Sequence, residues 1–210
     1  MEKKKQKQTY KYRKANSILY NLTDEYVLTN EEYYELYSFY VTYSMCGNQS
    51  MKKRKFTDYG WKSHNIQETK NGKNHKTDLG IALERVITFD SDHFSFSTGD
   101  DDLGVLFRKY NLEDGPIIDL STERAVIGIT HEDNKYLKMF HRVRNGLAHG
   151  KFILRYSSSK EKMVVIQDDD SNNVTARIVI KLSTLMEFIN VIDLDALIKK
   201  KIVQENKTVA

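Results

Sequence analysis

The chain has 210 residues, of which 40% are hydrophobic and 30% charged, with a formal net charge of +4. That is enough to bury a sizeable core, and it excludes an extended disordered chain. No apolar run approaches a membrane span, the Lys-rich start lacks the apolar stretch of a signal peptide, and the lone Cys46 excludes an internal disulfide; a cytoplasmic protein without a membrane partner is expected.

Residues 1–16 hold Lys3, Lys4, Lys5, Lys7, Lys11, Arg13 and Lys14 and read as a basic flexible arm. Such arms contact polyanions or are simply solvated. Residues 17–210 read as a single domain with a polar insert at about 47–77. Thr29 with Glu32 forms a capping-box pattern, so a helix is expected from there to about Met45, ending at Gly47-Asn48. Its periodic residues Tyr33, Leu36, Tyr37, Tyr40 and Tyr43 suggest a buried face. Within the insert, Trp61 is the lone tryptophan and an expected anchor.

A second helix is expected from a cap at Thr77 or Asp78 to about Thr88. Ser91 to Asp100 is turn-rich, and Asp100 to Asp102 sit where acids complement the dipole of a third helix at about 102–110. Gly115-Pro116 marks a turn, while 117–120 and 125–129 are short apolar runs of undecided type. A fourth helix starts near Glu132, with an apolar stripe of Tyr136, Phe140, Val143 and Leu147 and a cationic one of Lys135, Lys138 and Arg142. After His149 the period changes to that of strands: Lys151 to Tyr156, Met163 to Gln167, a turn at 168–173, and a half-buried strand at 174–182 with Arg177 and Lys181 outward. Thr184 to Glu187 caps a final helix to about Lys200. The expected fold is mainly α within the α+β class, a helical bundle with a small C-terminal antiparallel hairpin or sheet before the last helix.

The chemistry concentrates in Arg144-Asn145-Gly146-Leu147-Ala148-His149-Gly150. On a straight helix Arg144 and His149 lie about 140° apart around the axis. Asn145-Gly146 is a helix-ending pattern, and a break there lets the two side chains converge. A neutral imidazole can take the proton of a ribose 2′-hydroxyl. Arg144 can brace the non-bridging phosphate oxygens and Asn145 can orient either partner. The products are a 2′,3′-cyclic phosphate and a 5′-hydroxyl, and neither metal nor cofactor is required. Lys138, Arg142 and Lys151 are candidate phosphate ligands, and Arg124-x(6)-His131 is a second pairing without the polar neighbour. The alternative is a helix C-cap with a structural histidine. His64, His75, His93 and His141 lack metal-ligand spacing and read as structural or surface residues.

Arg144-Asn145-x-x-x-His149 resembles the Arg-polar-x(3–5)-His motif of the HEPN superfamily, the "higher eukaryotes and prokaryotes nucleotide-binding" domain. The resemblance covers about residues 130–155, with the last helix as packing. It implies a HEPN-like helical bundle and a metal-independent endoribonuclease acting on RNA in phage defence, abortive infection or as a toxin. It also implies catalysis by Arg144, Asn145 and His149, and a homodimer whose partner protomer supplies a second histidine. An antitoxin or a defence-complex partner is implied as well. Lys151 stands where antitoxin-modified relatives carry a tyrosine, which puts that mode of control in doubt. The remaining reading is a non-catalytic module of the same type that binds RNA or a partner.

Overall fold

The structure is a computed structural model that describes residues 18–19, 22–46, 53–62, 65–70, 73–97, 102–113, 115, 119–128, 134–170 and 173–194. The expectations for the basic arm, the Gly47-Asn48 helix end, Pro116, His64, His131, Asp100 and Asp101 lie outside the described residues, whereas the last helix, expected to run to about Lys200, ends at Ile192. Among the described residues there are five α-helices and seven strands: α1 (Asn30–Leu36), β1 (Gln67–Lys70), β2 (Lys73–Lys76), α2 (Asp78–Val86), β3 (Phe94–Ser97), α3 (Leu103–Lys109), β4 (Arg124–Gly128), α4 (Lys135–Ala148), β5 (Phe152–Tyr156), β6 (Lys162–Asp170), β7 (Asn173–Lys181) and α5 (Leu182–Ile192). Among the described residues, no helix is long and apolar enough to cross a membrane.

The chain falls into two compact units, one of residues 1–27 and 90–180, the other of 28–89 and 181–210. The first is built on a five-stranded sheet in the order β3-β4-β7-β6-β5. It is mixed: β3 runs parallel to β4, while β4 with β7 and β5 with β6 are antiparallel. This overturns the expected mainly helical bundle with a minor hairpin: the fold is α+β, and the sheet is the centre of this first unit. The reason lies in short strands. β3 hides in a turn-rich stretch and β4 in one of the undecided apolar runs, and each becomes a strand by pairing with a distant segment.

Both faces of the sheet are covered. On one, Met163 and Val165 of β6 join Leu103 and Phe107 of α3 in a buried cluster. The other face of β6 carries Ile166, which packs against Gly146 of α4, and Asp168, which bonds Arg142 of α4. Strands covered on both sides read as continuous apolar runs, and β7 is buried from Val174 through Ile180. The expectation of a half-buried β7 with outward Arg177 is therefore wrong. Arg177 is fully buried, donates to the carbonyl of Leu112 at 2.7 Å and lies over the Phe107 ring. It does not reach RNA.

The second unit holds α1, α2, α5 and the β1–β2 hairpin. The Thr29–Glu32 capping box is formed, but the α-helix ends at Leu36 and continues as a π-helical turn, Tyr37–Thr42. Leu36 and Tyr40 are buried as expected, whereas Tyr33 is 52% exposed and stacks on Tyr37. The polar insert contains structure: a 3₁₀ turn at Phe56–Tyr59 and the hairpin. Trp61 donates its indole N–H to the carbonyl of Ile192 at 2.9 Å. Thr77 caps α2 and Asp102 caps α3, each through its side chain. α5 starts at Leu182, ahead of the expected capping box, and Thr184 is buried inside it.

Candidate functional site

The α4 helix starts where Asn134 accepts from the backbone N–H groups of Tyr136 and Leu137. Its buried residues, Tyr136, Met139, Phe140, Val143, Gly146 and Leu147, form the stripe facing the sheet. The helix does not break at Asn145-Gly146. It runs on to Ala148, with His149 as its cap. A Cβ on Gly146 would stand 2.2 Å from Cγ2 of Ile166, so this glycine lets the helix lie close on β6. The residue that ends the helix is Gly150, at φ +63°. Lys151 N–H donates to the Gly146 carbonyl at 2.8 Å and Gly150 N–H to the Leu147 carbonyl at 3.3 Å. This pair of bonds is the Schellman closure.

The convergence expected from a break at Asn145-Gly146 is thus absent. On the unbroken helix Arg144 and His149 remain about 140° apart. Asn145 and His149 instead share a face, one turn apart. His149 is exposed and Arg144 is half-buried.

A polar network anchors the same helix to the sheet. Asp168 of β6, only 4% exposed at its side chain, accepts at one carboxylate oxygen from Arg142 Nη1 at 2.7 Å, Thr175 Oγ1 at 3.1 Å and Asn145 Nδ2 at 3.3 Å. Arg142 also donates to Thr175 Oγ1 at 3.1 Å and, through Nη2, to the Gly128 carbonyl at 2.8 Å. With its charge matched by Asp168 and its donors turned to the sheet, Arg142 is a structural residue, not the phosphate ligand expected of it. Lys151 is paired with Asp169, so its charge is matched as well. Lys138 is half-buried and engaged within the protein. Arg124 is buried and donates to the carbonyls of Thr122, Asn111 and Asp119.

Arg144 differs from all of these. Its Nη1 donates to Asn145 Oδ1 at 2.9 Å, and among the described residues it has no carboxylate partner. The Asn145 amide is held by Asp168 on its nitrogen side, so its oxygen is turned to Arg144. A relay runs from Asp168 through Asn145 to a guanidinium with donors to spare, which is the donor set that phosphate oxygens accept from.

Two residues of this site were missed in the sequence. Asp168 read as part of an acidic turn but lies within β6. The signal was its spacing of two from Ile166, which puts both on one strand face. His141 was set aside for want of metal-ligand spacing. It stands three residues before Arg144 and four before Asn145, one helical turn away. Burial, above all, holds the His141 imidazole below the ordinary histidine range; Arg142, Lys138 and Arg144 push the same way and Asp168 opposes. It is therefore neutral at neutral pH.

The second unit has a cleft of about 400 Å³ lined by Trp61, Lys62, Glu68, His75 and the start of α2, and none of the α4 residues belongs to it. Compared with protein families, with curated proteins and with solved structures, the chain shows no match.

Proposed function

We propose that the chain is an endoribonuclease that cleaves RNA without a metal, through attack of the 2′-hydroxyl on the adjacent phosphorus, in a defence or toxin role. The observation that carries this reading is Arg144: a cation without a carboxylate partner among the described residues, oriented by an anchored amide, one helical turn after His141 and five positions before the exposed His149. Arg144 binds the phosphate and stabilises the charge that develops on its oxygens. An imidazole takes the 2′-proton, and the leaving 5′-oxygen needs a proton from a second carrier. A second copy of the chain, paired so that two motifs face one cleft, is one source of that carrier. The Arg144-Asn145-x-x-x-His149 resemblance to HEPN ribonucleases supports the reaction class but not that family's bundle.

The test is incubation of the purified chain with total RNA in EDTA. Cyclic-phosphate ends are expected from wild type, with loss of cleavage in R144A and H149A. Undiminished cleavage in both variants would sink the proposal. The angular separation of Arg144 and His149 favours a second reading, a module that binds RNA or a protein partner without cutting it. RNA retention by wild type, with no new ends, would select that reading.

A further inference from the structure

We propose that His141 takes the proton from the attacking 2′-hydroxyl at the Arg144–Asn145 phosphate site, with His149 as the acid at the leaving 5′-oxygen. This rests on the ribonuclease reading and names, within one chain, both proton carriers that the reaction needs.

The argument is helical geometry. His141, Asn145 and His149 follow at intervals of four, each about 40° from the last around the axis and about 6 Å along it. Asn145 is thus flanked by an imidazole on either side. Arg144 lies about 60° from His141 and roughly one turn from it, the spacing at which side chains on a helix meet. A phosphate seated on Arg144 and Asn145 has His141 toward the helix start and His149 toward its end.

The surroundings of the two imidazoles differ in the sense the reaction requires. His141 is half-buried, and the charged groups facing it are Lys138, Arg142 and Arg144 on α4 and Asp168 on β6. The three cations and burial favour its neutral form, which is the proton acceptor. The ring makes no hydrogen bond among the described residues, whereas its helix neighbours Arg142 and Asn145 are both held by Asp168. His149 is exposed at the helix cap.

The step balances without water, metal or oxidant. The 2′-oxygen loses its proton to a ring nitrogen of His141 and forms a bond to phosphorus. The bond from phosphorus to the 5′-oxygen breaks, and that oxygen takes the proton of the His149 imidazolium. The products are the 2′,3′-cyclic phosphate and the 5′-hydroxyl. His141 then gives its proton to solvent and His149 regains one.

The experiment uses the full chain, a short RNA oligonucleotide and EDTA, with single-turnover rates measured against pH for wild type, H141Q, H149A and R144A. H141Q is expected to lose about 10²–10⁴-fold in rate, to keep its KM within about threefold, and to lose the acidic limb of the profile. Equal mixtures of R144A with H141Q are expected to stay inactive, because both residues act on the same phosphate in the same chain. If H141Q cuts as fast as wild type while R144A and H149A do not, His141 is only packing, and the inference falls alone. Restored activity in the mixture has the same consequence. If R144A and H149A also cut normally, or wild type makes no cyclic ends, the ribonuclease reading falls with it. Should H141Q fail to fold, the wild-type profile decides. An acidic limb below the ordinary histidine range supports the assignment, and one at or above that range overturns it.

Discussion

Arg142 and Arg144 are two residues apart on α4, and their surroundings differ in kind. Arg142 points at the sheet, where Asp168, Thr175 and the Gly128 carbonyl take its donors. Among the described residues Arg144 has a single side-chain bond, to an amide that is itself anchored. One arginine stabilises the packing of helix on sheet, and the other is left with donors for a ligand. The two lie about 200° apart around the axis, so identical side chains meet a buried carboxylate in one case and only the Asn145 amide in the other. Chemical type alone does not make a phosphate ligand; an uncommitted charge does.

The comparison is tested most severely at Asp168. D168A leaves the Arg142 charge buried without its partner, and a loss of about 3–5 kcal/mol is expected in denaturant unfolding. A loss below about 1 kcal/mol, the scale of exposed pairs, would show that Arg142 is as open as Arg144. Next comes Gly146. G146A forces a methyl group against Cγ2 of Ile166 and should destabilise by about 1–3 kcal/mol, an effect that should shrink in an I166A background, where that carbon is gone. Were this glycine only a flexible helix end, alanine would be neutral or stabilising by up to about 1 kcal/mol.

R144A carries the opposite expectation. Stability should change by less than about 1 kcal/mol, because the half-buried Arg144 has no charged partner among the described residues to lose. RNA retention should weaken and lose salt dependence in a filter-binding titration. A large loss of stability with unchanged RNA retention would assign Arg144 to the same structural class as Arg142. The smallest effect concerns pH. Because the folded protein holds His141 below its ordinary value of 6.5, the unfolded chain binds the extra proton first as pH falls. The stability this contributes is fully present above about pH 6.5 and declines as pH drops from there toward the lowered folded value. Thermal melts of wild type should show this acid-side decline, and H141Q should flatten it.

Much of α4 was legible beforehand. Its apolar stripe, the change to strand period after His149 and the caps at Thr29 and Thr77 all follow from local spacing and short polar side chains, whereas Asp102, read as an acid complementing the helix dipole, is the cap itself. The helix end was misread because two glycines lay four residues apart and only one adopts a left-handed backbone. That difference depends on Ile166, which is distant in sequence. The strands β3 and β4 were illegible for the same reason: each is four or five residues long and becomes a strand only through its ladder partners. Asp168 and Arg177 read as exposed charges because a strand with helices on both faces is the exception to the half-wet sheet.

By itself the sequence determined the elements with strong periodicity and the inventory of chemistry on α4: two arginines, an amide and two imidazoles. Those depend on neighbours within a turn or two, which the sequence contains directly. Tertiary structure alone decided which arginine is neutralised and which glycine ends the helix. These outcomes are set by β6 and β7 packing against α4, contacts between segments that local spacing does not relate.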